Sequence, residues 1–401
     1  MKRDHFESSI IALLAIASTL LLACAGSGGA PGPEPNAPPA TNTGLPVPLE
    51  LCTQTKPCTR PAPGLGVTEI SEPSYVPACF TSPAAQQAGR VFHDDGAPLH
   101  HRDANGIDRY ACLYQPPGAS ASAPRPLLVF LHGGGTGTAS NVYNLTSLRA
   151  KATSYLLSGE VTRPGFILLS VQGRNLHYPT YNSRDGRHHD FYYRDLRTPS
   201  NNPDVANLDR HIDELVASGA VDPQRIYIMG WSNGGFFGQM YGIARHAQPT
   251  PGGNRVAAVV PYTAADPFHN TNRDQVPSYQ LDPYPTSTLP ILSVSRSCDV
   301  VACNQAQADW FETGFGTVTE PGHVVEPWVL QDLPNKVRNP NALWRIVDRD
   351  GQQVNMCASN AQCTPYLGLI NHIRWPDGVA DGSGIDHEPA MLDFLRDHPL
   401  P

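Results

Sequence analysis

From about Asp108 onward, short apolar runs alternate with stretches of helical spacing. DRYACLYQPP reads as a strand, and RPLLVFLHGGG as a buried strand running into a glycine-rich loop. NLTSLRAKATSYLLSG has helical spacing, and GFILLSVQG is another buried strand. PDVANLDRHIDELVASG sets Val205, Leu208, Ile212, Leu215 and Val216 on one helical face. The strand RIYIMG, a glycine-rich helix, and the strands VAAVVPY and PILSVS come next. After a long irregular region, YLGLIN reads as a last short strand and EPAMLDFLRDH as a C-terminal helix. This alternation predicts an α/β fold, with a mostly parallel central sheet covered by helices on both faces.

Two segments break the pattern. HYPTYNSRDGRHHDFYYRDLRTPSNN, from His177, is polar and rich in tyrosine, and GFGTVTEPGHVVEPWVLQDLPNKVRNP, from Gly314, has no clear period. Insertions of this kind tend to lie over the strand ends of an α/β sheet and to shape its ligand site. No internal repeat is visible.

The N-terminus has a different pattern. Lys2 and Arg3 precede the apolar run IIALLAIASTLLLA, Ile10 to Ala23, which has the length of a secretory h-region and is short for a bilayer span. It ends in Leu21-Leu22-Ala23-Cys24, which resembles the lipobox of bacterial lipoproteins, where the cysteine is lipidated. The following AGSGGAPGPEPNAPPATNTGLPVP cannot build a core and suits a flexible tether. The expected organisation is a leader over 1–24, a tether over 25–70 and one catalytic domain over 71–401. The expected membrane partner is reached through a lipid on Cys24, in the bacterial cell envelope. Ala25 and Gly26 lack the aspartate linked to inner-membrane retention, which favours the outer membrane or cell surface.

Composition adds two exclusions. The net charge is −8 and no basic cluster stands out, so nucleic acid is not an expected partner. Nine cysteines less Cys24 leave eight, an even number that in an exported chain suggests disulfides. Close spacing favours Cys52–Cys58, Cys298–Cys303 and Cys357–Cys363, which leaves Cys79–Cys112. This is one of many connectivities open to eight cysteines. No Cys-x-x-Cys pair is present, and His100-His101 and His188-His189-Asp190 are adjacent residues that point to opposite sides of an extended chain. No metal site is expected.

The candidate chemistry begins at Gly230-Trp231-Ser232-Asn233-Gly234, a G-x-S-x-G between a strand and a helix. A sharp turn there lifts the serine hydroxyl clear, and the helix that follows turns its positive end to any developing oxyanion. Ser232 needs a base and oxyanion donors. His132-Gly133-Gly134-Gly135 closes a buried strand and is similar to the HGGG loop that supplies such donors. The backbone N–H groups of Gly134 and Asn233 are the first choices, with Gly135 a further candidate. Asp299 follows the strand PILSVS and suits the acid, whereas Asp266 lies one strand too early. Two histidines qualify as the base: His372, directly after YLGLIN, and His387, before the last helix. His372 is preferred because a base at a strand end is better pre-organised. Trp231, Tyr178, Tyr181, Tyr192 and Tyr193 are candidates to line an acyl or aryl pocket.

From about Asp108 to its end, the chain resembles the α/β-hydrolase esterases grouped with poly(3-hydroxybutyrate) depolymerases and feruloyl esterases. AVDPQRIYIMGWSNGG is similar to the family's turn, strand and nucleophile elbow, and NGIDRYACLYQPPG with PLLVFLHGGG to its entry strands. Where the family carries a Gly-His-Thr-Trp-Pro-like motif, this chain reads Asn371-His372-Ile373-Arg374-Trp375-Pro376, with one extra residue and no preceding glycine. The resemblance implies ester hydrolysis through an acyl-serine, with no metal or organic cofactor.

Overall fold

The computed structural model describes residues 68–69, 75–177, 186–191, 196, 198–264, 267, 287–299, 342–348, 350–354 and 365–401. The leader with Cys24, nearly all of the tether, Cys52, Cys58, Cys303, Cys357, Cys363, Tyr178, Tyr181, Tyr192, Tyr193 and Asp266 lie outside these residues.

In chain order the strands are β1 (Thr68–Glu69), β2 (Leu99–Arg102), β3 (Asp108–Tyr114), β4 (Arg125–Leu131), β5 (Ile167–Val171), β6 (Arg174–His177), β7 (Gly186–His188), β8 (Val221–Trp231), β9 (Ala258–Tyr262), β10 (Ile291–Arg296), β11 (Ala342–Val347) and β12 (Gln353–Val354). The helices are α1 (Pro83–Gln87), α2 (Asn141–Asn144), α3 (Leu148–Lys151), α4 (Pro203–Ala217), α5 (Asn233–Ala247), α6 (Pro365–His372) and α7 (Glu388–Arg396).

Nine strands form one sheet in the order β12-β11-β10-β9-β8-β4-β5-β3-β2. The run from β11 to β5 is parallel throughout, and β12, β3 and β2 add antiparallel edges. This is the strand order of the α/β-hydrolase fold. The central strands β4 and β5 are buried along their whole length, as continuous apolar runs in a covered parallel sheet should be. The pleat divides β4 between two cores. Leu127, Val129 and Leu131 pack with Val205, Leu208 and Ile212 of α4 and Phe237 and Met240 of α5. Leu128 and Phe130 face the other way, towards Val142, Leu148, Trp375, Met391 and Leu395. Full burial of one such leucine is worth about 2 kcal/mol, so the two faces together hold the sheet.

Three sequence expectations change. YLGLIN belongs to the helix α6 and not to a strand; of its described positions, Gly368, Leu369, Asn371 and His372 are buried, which is helical spacing. An apolar run of that length does not distinguish the two by periodicity. The last parallel strand is instead β11, ALWRIV, in the stretch read as irregular, where Arg345 interrupts the apolar run. Of the helix expected over NLTSLRAKATSYLLSG only the one-turn α3 forms; α2 ends at the first residue of that stretch, Asn144, and Thr146 Oγ1 turns back onto the Val142 carbonyl at 2.7 Å between the two. Cys79 and Cys112 form a disulfide, and Cys298 is also disulfide-bonded.

A second, three-stranded antiparallel sheet, β1-β6-β7, takes only β7 from the insertion that begins at His177, since β6 ends at that residue and β1 comes from Thr68–Glu69. Its Arg187 bridges to Gly135, so the insertion does reach the glycine-rich loop at the end of β4.

Candidate active site

Strand β8 ends at Trp231 and α5 begins at Asn233, leaving one residue for the turn. Such a turn demands close backbone approach. A Cβ on Gly230 would lie 2.2 Å from the Gly234 carbonyl oxygen, and one on Gly234 would lie 2.3 Å from that of Leu131. Ser232 between them takes φ 51° and ψ −117°, a conformation that costs a non-glycine residue on the order of 1–3 kcal/mol. Its N–H donates to the Tyr262 carbonyl at 2.9 Å, and its own carbonyl accepts from Gly235 and Phe236 at 2.8 and 3.0 Å. These bonds hold the strained residue between β9 and the first turn of α5.

The structure brings Ser232, His372 and Asp299 into one row. His372 Nε2 lies 2.7 Å from Ser232 Oγ, and His372 Nδ1 lies 2.9 Å from Asp299 Oδ2. With the carboxylate as acceptor, Nδ1 carries the proton and Nε2 faces the hydroxyl as a base. Asp299 is fully buried three residues past the end of β10, and its N–H donates to the Arg296 carbonyl at 3.0 Å. His372 is the last residue of α6, 140 positions beyond the serine. His387 is elsewhere. It precedes α7, its Nε2 donates to the Gly351 carbonyl at 2.7 Å, and burial lowers its pKa. The alternative base is therefore corrected to a structural histidine joining α7 to the turn at Gly351.

The glycine-rich loop packs on the elbow. Cβ atoms built on Gly133 and Gly134 would lie 3.7 Å from Ser232 Cβ and 3.2 Å from Asn233 Cβ. His132 anchors this loop from beneath: Nδ1–H donates to the Gly133 carbonyl at 2.7 Å and Nε2 accepts from Gly173 N–H at 2.9 Å. Burial pushes its pKa well below the usual histidine range. Arg187 holds the far side, with Nε on the Gly137 carbonyl at 2.8 Å and its backbone N–H on that of Gly135 at 2.8 Å. Asn233 joins both parts. Its side chain accepts from His189 N–H at 2.7 Å and donates to the His189 carbonyl at 3.1 Å. As the first residue of α5, its backbone N–H has no acceptor within the helix.

Trp231 does not line a pocket. Its ring is 6% exposed, packs against Tyr262 and Trp375, and donates from Nε1 to the His372 carbonyl at 2.9 Å. The expectation failed because side chains alternate along a strand: if Ser232 faces the site, the residue before it points into the sheet's other core.

Several supporting residues were missed in the sequence. Arg187 and His189 sit in the polar insertion from His177, where the sequence offers His189 only as a metal-ligand candidate and does not single out Arg187. His188 borders Gly134, while His189 is buried between His132 and Phe237. Among the described residues, no group of three His, Cys, Asp or Glu is placed to hold a metal ion, and no helix is long and apolar enough to cross a membrane.

No family model and no curated protein sequence matches the chain. Among solved structures, a thermostable esterase is similar at 15% identity and a TM-score of 0.41, over 76% of this chain. The match spans 63% of that esterase. Esterase 2 of Thermogutta terrifontis, phosphonylated by sarin, is similar at 14% identity and a TM-score of 0.34, over 52% of this chain and 76% of its own. Dipeptidyl peptidase 4 of Porphyromonas gingivalis is similar at 16% and 0.31, over 51% of this chain and 28% of its own.

Proposed function

We propose that this protein is a serine carboxylic ester hydrolase, exported and lipid-anchored to the bacterial cell envelope through Cys24. One observation carries the catalytic reading: the hydrogen-bonded row Ser232–His372–Asp299 at a strained strand-to-helix turn. His372 Nε2 takes the hydroxyl proton as Ser232 Oγ attacks the ester carbonyl. Asp299 keeps the proton on Nδ1 and stabilises the imidazolium that forms. Charge developing on the carbonyl oxygen is met by the backbone N–H groups of Gly134 and Asn233, with Gly135 beside them, at the positive end of α5. The imidazolium then protonates the leaving alcohol, and the same nitrogen activates water to release the acid from the acyl-serine.

The substrate class follows from the sequence resemblance to feruloyl esterases and poly(3-hydroxybutyrate) depolymerases. The tyrosines Tyr178, Tyr181, Tyr192 and Tyr193 are proposed to meet the acyl or aryl group. The anchor rests on the leader and the Leu-Leu-Ala-Cys motif.

The test is hydrolysis of p-nitrophenyl butyrate by the wild type and by Ser232→Ala. Turnover by the wild type with a loss of about 10⁴-fold or more in the variant is expected. A folded wild type as silent as the variant overturns the esterase reading. Methyl ferulate and hydroxybutyrate oligomers then separate the substrate classes, and radiolabelled palmitate incorporation that disappears in Cys24→Ala tests the anchor.

A further inference from the structure

Helix α6 ends at the base itself, which creates a local problem. Ile373 N–H closes the last turn onto the Leu369 carbonyl at 3.0 Å, so the carbonyls beyond it have no intrahelical donor. That of His372 lies in the interior of the molecule, where an unpaired carbonyl is costly, and that of Arg374, two residues on, faces the end of β9. Both are satisfied by side chains from the ends of adjacent strands. Trp231, at the end of β8, donates its indole N–H to the His372 carbonyl at 2.9 Å within the protein core. Tyr262, at the end of β9, donates its hydroxyl to the Arg374 carbonyl while accepting from Arg296 Nε at 3.1 Å. Arg296 is in turn paired with the buried Asp381.

The geometry points to Trp231 as a positioning residue for the base: its indole N–H caps the carbonyl of His372 and so ties the residue bearing the base to the residue preceding the nucleophile. This inference rests on the triad reading above. It explains why a tryptophan occupies the position before Ser232. The peptide unit joining Trp231 to Ser232 fixes one end of the Ser232–His372 distance, and the indole fixes the other. One peptide unit, one packed and buried indole and one hydrogen bond then connect the two residues, in addition to the Ser232–His372 contact itself. Tyr262 repeats the device two residues further on, with its N–H-accepting carbonyl holding Ser232 from the same strand end. A small displacement of a base relative to its nucleophile costs up to about 100-fold in rate.

The experiment compares wild type with Trp231→Phe and with Trp231 replaced by its benzothiophene analogue, which keeps the bicyclic shape and lacks the N–H. Purified full-length protein is titrated with a fluorescent fluorophosphonate to count reactive Ser232, and p-nitrophenyl butyrate kinetics are expressed per titrated site. We expect kcat per site to fall about 10- to 100-fold in both variants, with KM within about twofold of wild type. A purely structural tryptophan lowers the titratable fraction and the melting temperature but leaves kcat per site unchanged, and that result in the benzothiophene protein overturns the inference. Should Trp231→Phe fold poorly, the isosteric variant decides alone. If wild type neither reacts with the fluorophosphonate nor turns over the ester, the triad reading fails and the inference falls with it, a result distinct from an active wild type whose variants match it.

Discussion

At the scale of the residue, two buried histidines of similar promise take unrelated roles because of what their ring nitrogens meet. His372 stands between a hydroxyl and a carboxylate, whereas His387 donates to a backbone carbonyl. The consequence is measurable. His372→Ala should lose about 10⁴-fold or more in kcat for p-nitrophenyl butyrate. His387→Ala should stay within about threefold of wild type, while losing on the order of 1–3 kcal/mol of stability for the Gly351 carbonyl left unpaired. Equal kinetic losses in the two variants would contradict these assignments. The Ser232 to Asp299 half of the row was readable from the chain, since each follows a buried strand. The choice of histidine was not, because both candidates sit in the same connection and the preference for His372 rested on a strand that is a helix.

At the scale of the element, the strands nearest the site were the most legible, and short elements the least. Strands β4, β5 and β8 bury continuous apolar runs that few other structures would tolerate. Strand β2, Leu99–Arg102, has the sequence LHHR and shows no apolar signal. It exists because β3 offers an edge: His100 pairs across to Tyr110, and its Nε2 lies 2.7 Å from Asp108 Oδ1. The segment before it is tied to β3 by Cys79–Cys112, a bridge between residues 33 positions apart. Closing a loop of that length is worth about 4 kcal/mol in the unfolded chain. Cys79→Ala with Cys112→Ala should therefore reduce the unfolding free energy by about that amount in denaturant titrations, and a change below about 1 kcal/mol would show that the bridge is not a support of this edge.

At the scale of the whole molecule, the insertion, the glycine-rich loop and the nucleophile turn are held together by uncharged histidines, and this sets a pH dependence. Burial, reinforced by Arg174 and opposed by Asp204, lowers the His189 pKa from 6.5 to about 4. Between these values the unfolded chain binds a proton that the folded one refuses. The stability contributed by neutral His189 is thus fully present above pH 6.5 and is lost as the pH falls towards 4, by about 3 kcal/mol at that end. Among the described residues His189 Nε2 has no hydrogen-bond partner, so His189→Phe gives up no bond there. Its unfolding free energy should vary less than that of wild type between pH 4 and 6.5. Parallel curves for the two proteins would contradict the assignment of a neutral, buried imidazole.

The parallel sheet, the glycine-bounded turn at Ser232 and the order of serine, aspartate and histidine along the chain were legible from the amino-acid order alone. These are local matters: a strand buried on both faces must be apolar along its length, and a turn of one residue must have glycines where backbones nearly touch. The fold settled which histidine meets Ser232, that Trp231 faces the core and holds that histidine, and that Arg187 ties the insertion to the loop at the end of β4 while Asn233 ties it to the turn at Ser232. Each of those is a pairing between segments far apart in the chain. A side chain's own neighbours record whether it is buried or bent, but not which distant carbonyl or hydroxyl will be waiting for it.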